Sequence, residues 1–62
     1  MDSKQTIHTI LTMSNFGGNF ERHLAAACLA ADPENRLRLL DAFPSIEAKY
    51  GPNTKFYGEN FG

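Results

Sequence analysis

Three side chains in this sequence have the chemistry to hold a soft metal or to act as nucleophile and base: His8, His23 and Cys28. A zinc centre needs four ligands, and its usual CxxC or HxxxH spacings bring two of them to one turn. His23 and Cys28 are five positions apart. On a helix that spacing turns them roughly 140° away from each other, so they do not close on one ion. A catalytic cysteine needs an oriented base beside it, and Cys28 falls on an apolar face, where a thiol is ordinarily inert. His8 belongs to a different element. The carboxylates Asp32 and Glu34 flank Pro33 and read as a helix start, not as an acid–base pair. Gly17-Gly18 precedes a helix and in principle cradles a phosphate. It lacks the Lys-Ser/Thr ending of a P-loop, and a capping role explains it. The expectation is a protein with no catalytic residue, no cofactor and no metal: not an enzyme.

What is left is aromatic. The stretch SNFGGNF at 14–20 is echoed by ENFG at 59–62. Phe20 and Phe43 fall on helix stripes and are expected in the core, with Tyr50 beside them and its hydroxyl at the rim. Phe16, Phe56, Tyr57 and Phe61 lie outside the clear helices. Either they lid a fold too thin to hide its own apolar faces, or they form an exposed patch that anchors another protein. Neighbouring glycines bend the backbone sharply enough for both. These four are the candidate partner-binding residues.

The elements that must position them are mainly helical. Asn19 reads as an N-cap, and Phe20, Leu24, Ala27, Cys28 and Ala31 follow along one helix face. ADPEN ends that helix and begins another, with Asp32 as cap and Pro33 in the first turn. Leu37, Leu40 and Phe43 share one side of the second helix, with Leu39 widening the stripe. Pro44 closes it. So short a link predicts an antiparallel helical hairpin, with Leu24 and Cys28 facing Leu37 and Leu40. A short third helix carries Ile46 and Tyr50 and stops at Gly51, read as a left-handed cap. The Thr- and Ile-rich segment from Gln5 to Met13 leans to extended structure, although Ile7, Ile10 and Leu11 also fall at helical spacing, between which period alone does not arbitrate. Residues 55–61 are its pairing partner or a loose tail. The expected organisation is one small domain over 1–62: an N-terminal segment and Gly loop at 1–18, a helical core at 19–51 and a C-terminal tail at 52–62, the ends irregular or weakly β.

A chain of 62 residues buries only about 60% of the surface its unfolded form exposes. Folds this small recruit disulfides, a metal or a second subunit. Cys28 is the only cysteine, which excludes an intrachain bridge and fits a reducing compartment. A homodimer or a bound partner is the remaining support. Six basic and seven acidic side chains are scattered, for a net charge of −1. No basic stripe is written for nucleic acid, so a helix-turn-helix regulator is only an alternative suited to the element count. The apolar residues between Ile7 and Met13 are broken by His and Thr, unlike a signal peptide. The longest apolar run, Leu24 to Ala31, is far short of a membrane span. The expectation is a soluble, intracellular protein.

Residues 17–52, GGNFERHLAAACLAADPENRLRLLDAFPSIEAKYGP, resemble a pattern in small open reading frames of bacteriophages and prophages. The pieces are Asn19-Phe20, Ala31 to Asn35, Ala42 to Pro44 and Lys49 to Pro52. That family has no settled function, so no site residue is carried over. The resemblance implies a setting, a phage gene product in the cytoplasm of a bacterial host. Phage proteins of this size commonly bind and inhibit or redirect a host protein, anti-CRISPR inhibitors among them. A structural or accessory phage protein acting through self-association is the alternative.

Overall fold

The N-terminal segment is a helix, not the extended stretch that its Thr and Ile content predicts. The structure, a computed structural model, describes residues 1–59 of the chain. Among these residues are five helices and no strand: α1 Ser3–Phe16, α2 Asn19–Ala30, α3 Pro33–Ala42, α4 Ser45–Tyr50 and α5 Lys55–Glu59. The fold is mainly α as expected, but neither described end is irregular or weakly β. Helix α1 opens on a capping box. The Asp2 carboxylate accepts from the Gln5 amide at 2.7 Å, and the Gln5 side chain accepts from the Asp2 amide at 3.1 Å. Its inward face carries Thr6, Thr9 and Thr12 beside Ile10 and Met13. Threonine is tolerated there because Thr9 Oγ1 donates to the Gln5 carbonyl at 2.8 Å and Thr12 Oγ1 to the His8 carbonyl at 2.7 Å. Buried hydroxyls that bond back one turn leave no polar group unsatisfied. Burial then overrides a weak strand preference.

Helix α1 is the centre of the molecule. It packs on α2, α4 and α5, whereas α3 touches α2 only sparsely. The buried core joins Ile10 and Met13 of α1, Ala25 and Cys28 of α2, and Ile46 and Tyr50 of α4. Leu24, Leu39, Leu40 and Phe43 pack around it. The expected seam of Leu24 and Cys28 against Leu37 and Leu40 is therefore corrected. Leu37 is 55% exposed, and α3 contributes no fully buried residue. The principal partner of α2 is α1, across the Gly17-Gly18 corner.

The cap of α2 is Gly18, one position before the expected Asn19. The Glu21 carboxylate accepts the Gly18 amide at 3.0 Å, and the Asn19 carbonyl accepts from His23 Nδ1 at 2.7 Å. Helix α3 starts as predicted, with Asp32 accepting from the Asn35 amide at 2.8 Å and Pro33 in the first turn. Arg36 then reaches back across the junction. Its Nε donates to the Cys28 carbonyl at 3.0 Å and its Nη2 to the Ala31 carbonyl at 3.1 Å. These carbonyls end α2, where acceptors lack helical partners and the dipole is negative. Arg38 instead pairs with Glu34 at 2.7 Å in open solvent, where an i,i+4 pair contributes only about 0.3–0.5 kcal/mol. Arg36→Ala is thus expected to destabilise by roughly 1.5–3 kcal/mol, the scale of hydrogen bonds from a charged donor. Arg38→Ala should be near neutral. Urea melts of the two variants check this.

Ile46 and Tyr50 of α4 face the core as predicted. Gly51 is not left-handed, however: its φ is −74° and its backbone is extended. Close approach explains the glycine, since a Cβ there would lie 2.5 Å from the Glu47 carbonyl oxygen. The left-handed residue is Asn53, at φ 78°. With Pro52 before it and the Thr54 amide donating to the Gly51 carbonyl at 3.2 Å, GPNT has the pattern of a type II turn. Thr54 Oγ1 accepts from the Tyr57 amide at 3.4 Å and so starts α5, in place of a loose tail or pairing strand. No helix among the described residues is long and apolar enough to cross a membrane.

Candidate interaction surface

Helix α5 spans only five residues, too few to persist alone. Two aromatic contacts hold it to α1. The Tyr57 ring stacks on the His8 ring, centroids 3.9 Å apart and planes 27° apart. The Tyr57 carbonyl accepts from His8 Nε2 at 2.8 Å. A carbonyl only accepts, so the proton of that bond is on Nε2. His8 is itself buried. It acts as a staple between α1 and α5, which is the role its sequence position did not disclose.

One residue earlier, Phe56 turns to the other side of the staple. Its ring stacks on Phe16 at 4.9 Å and 26°, and lies 6.2 Å from Tyr50. Offset stacking of this kind stabilises two rings beyond the area they bury. Phe16 is nevertheless 41% exposed and Phe56 39%. The two rings make a ridge, based on the core through Tyr50 and open to solvent above. Tyr57 instead borders a shallow groove of about 650 Å³ along α1, lined also by Ile7, His8 and Leu11.

Of the four sequence candidates, Phe16 and Phe56 meet as the ridge, whereas Tyr57 packs on His8 beside the groove along α1. Phe61 lies outside the described residues. Phe20 departs from expectation. It is 60% exposed and meets Phe43 edge to face at 5.8 Å, while Phe43 is only half-buried. The buried line of α2 runs through Ala25 and Cys28, leaving Ala27 outside, because α1 covers the face beside the one that Phe20 marks.

The chemistry-bearing side chains do not converge. Cys28 is fully buried. Burial pushes its thiol above the ordinary range, offset in part by the Arg36 guanidinium. His23 is on the exposed side of α2. Among the described residues, no three His, Cys, Asp or Glu side chains gather in a way that could hold a metal ion. No family model, no curated protein and no solved structure matches the chain.

Proposed function

We propose that this chain is a non-enzymatic interaction protein, encoded by a phage and acting in the cytoplasm of its bacterial host, that binds and inhibits or redirects a host protein. The most specific form of this reading is an anti-CRISPR-like inhibitor of host defence. One observation carries the binding role: the stacked Phe16–Phe56 ridge, open to solvent yet fixed from below by Tyr50. Aromatic anchors that are already ordered lose little side-chain freedom on docking, and few such residues dominate a typical interface. Use of His8 as a staple and burial of Cys28 support a role without catalysis. The resemblance over 17–52 supplies the phage setting. Affinity capture from bacterial lysate, with mass spectrometry of the eluate, tests the proposal. It requires one host protein retained stoichiometrically and competed by untagged chain. Recovery of virion components alone would favour the accessory-protein alternative.

Self-association is a second reading, favoured by Phe20, which stands 60% exposed beside Phe43. A homodimer closing over this pair raises the melting temperature with protein concentration, because association favours the folded state by mass action. A melt independent of concentration, with a monomeric mass by light scattering, contradicts it. The regulator alternative finds less support. Of the cations on α3, Arg36 is engaged by the carbonyls of α2 and Arg38 by Glu34, leaving no basic face for phosphates.

A further inference from the structure

A second groove, of about 560 Å³, lies between α3, α4 and the N-terminal end of the chain at Met1 and Thr6, and shares no lining residue with the groove along α1. Its apolar lining includes Leu37, Leu40, Pro44 and Ala48, and Asp41 and Glu47 stand along it. Leu37 is mostly exposed although it sits in the middle of α3. The ion pairs among the described residues are Arg38–Glu34 and Lys55–Glu59, so neither Asp41 nor Glu47 has a cation partner there. An apolar lining with two unmatched carboxylates is complementary to apolar side chains flanked by positive charge. Pro44 holds its φ rigidly, so this part of the lining is largely organised before anything docks. The described residues offer no sheet edge for strand addition, and apolar anchors flanked by charge along a groove between helices match the pattern an amphipathic helix presents.

We infer that the α3–α4 groove takes an amphipathic helical segment of a partner protein, its apolar anchors on Leu37 and Leu40 and its Lys or Arg side chains on Asp41 and Glu47. The inference rests on the reading of the chain as a protein-binding module, but it uses none of the ridge residues. The segment inserts its apolar stripe along Leu37 and Leu40 of α3, beside Met1 and Thr6. The carboxylates set its orientation and reject an acidic segment of the same apolar pattern.

Fluorescence anisotropy with labelled synthetic peptides tests this. The probe is a helical peptide of roughly 15 residues with leucines at i, i+3 and i+7 and lysines flanking them. Its controls carry glutamate in place of lysine, or the same composition scrambled. The basic peptide is expected to bind at least about tenfold more tightly than either control, and less tightly as salt rises. Asp41→Asn combined with Glu47→Gln, both exposed positions, should erase the preference over the acidic control without changing the melt. Leu37→Ser should weaken binding about tenfold. Amide shift changes on peptide addition should centre on Leu37, Leu40 and Ala48. Phe16→Lys should leave peptide binding intact while removing capture of the host protein, which separates this inference from the ridge. Equal binding of basic and acidic peptides, binding by neither, or shift changes centred on Ile7, Leu11 and Tyr57 would overturn it. So would concentration-dependent shifts at Leu37 and Leu40 without peptide, which would make a second copy of the chain the occupant.

Discussion

Ile10→Ala is expected to leave the chain largely unfolded at room temperature. Ile10 is fully buried and belongs to the core shared by α1, α2 and α4. Truncation removes its transfer energy and opens a cavity among groups that cannot all close on it, a loss of roughly 2–5 kcal/mol. A chain of this length has a total stability of only roughly 3–9 kcal/mol. Leu37→Ala is the matched control, the same kind of truncation at a residue 55% exposed, and should change stability by about 0.5 kcal/mol or less. Circular dichroism melts of the two variants separate an α1-centred core from one centred on the α2–α3 seam. In the second case Leu37→Ala would be the more damaging.

Gly17→Ala is the second large effect. A Cβ at Gly17 would lie 2.3 Å from Glu21 Cβ and 2.7 Å from the Met13 carbonyl oxygen. Neither atom is the far end of a flexible side chain, so the corner between α1 and α2 has to open. Overpacking of this kind typically costs about 1–3 kcal/mol, and it acts on the most extensive helix pair in the molecule. Gly18→Ala tests the reason. There the nearest atom is Glu21 Oε1 at 3.3 Å, the end of a side chain that can shift. The adjacent substitution should therefore cost much less. Equal losses at both positions would mean that backbone freedom, and not contact, selects these glycines.

The parts of the fold legible in the sequence are those decided locally. Asp32-Pro33 starts α3 through one side-chain cap and one fixed φ, both contained in three neighbouring residues. The same kind of signal stands at the N-terminus, where Asp2 and Gln5 form a capping box; the sequence reading, led by the Thr and Ile content, misses it. What was not legible depends on distant partners. Apolar residues surround much of α2, so periodicity alone does not say that Ala25 is buried and Phe20 is not. The docking of α1 decides that. Helix α5 is stapled by His8 across 49 positions of sequence, a contact with no local signature. The aromatics of the candidate site stand out in the sequence because they lie outside the clear stripes, but the stacking of Phe16 on Phe56 depends on α1 and α5 both being helices.

The measurement that bears most directly on the ridge as a binding surface is Phe16→Lys, read by thermal melt and by capture from bacterial lysate. Phe16 is the last residue of α1 and is 41% exposed. A lysine stem can lie over Phe56 with its charge in water, and a cation suits the negative end of a helix. The fold should therefore survive, with the melting temperature lowered by only a few degrees. Docking of an apolar partner surface on the ridge should not survive, because the ammonium group would be buried without a counter-charge. The expected result is a folded protein whose affinity for the captured host protein falls more than about tenfold. A folded Phe16→Lys variant that retains that protein as well as the wild type would contradict the account.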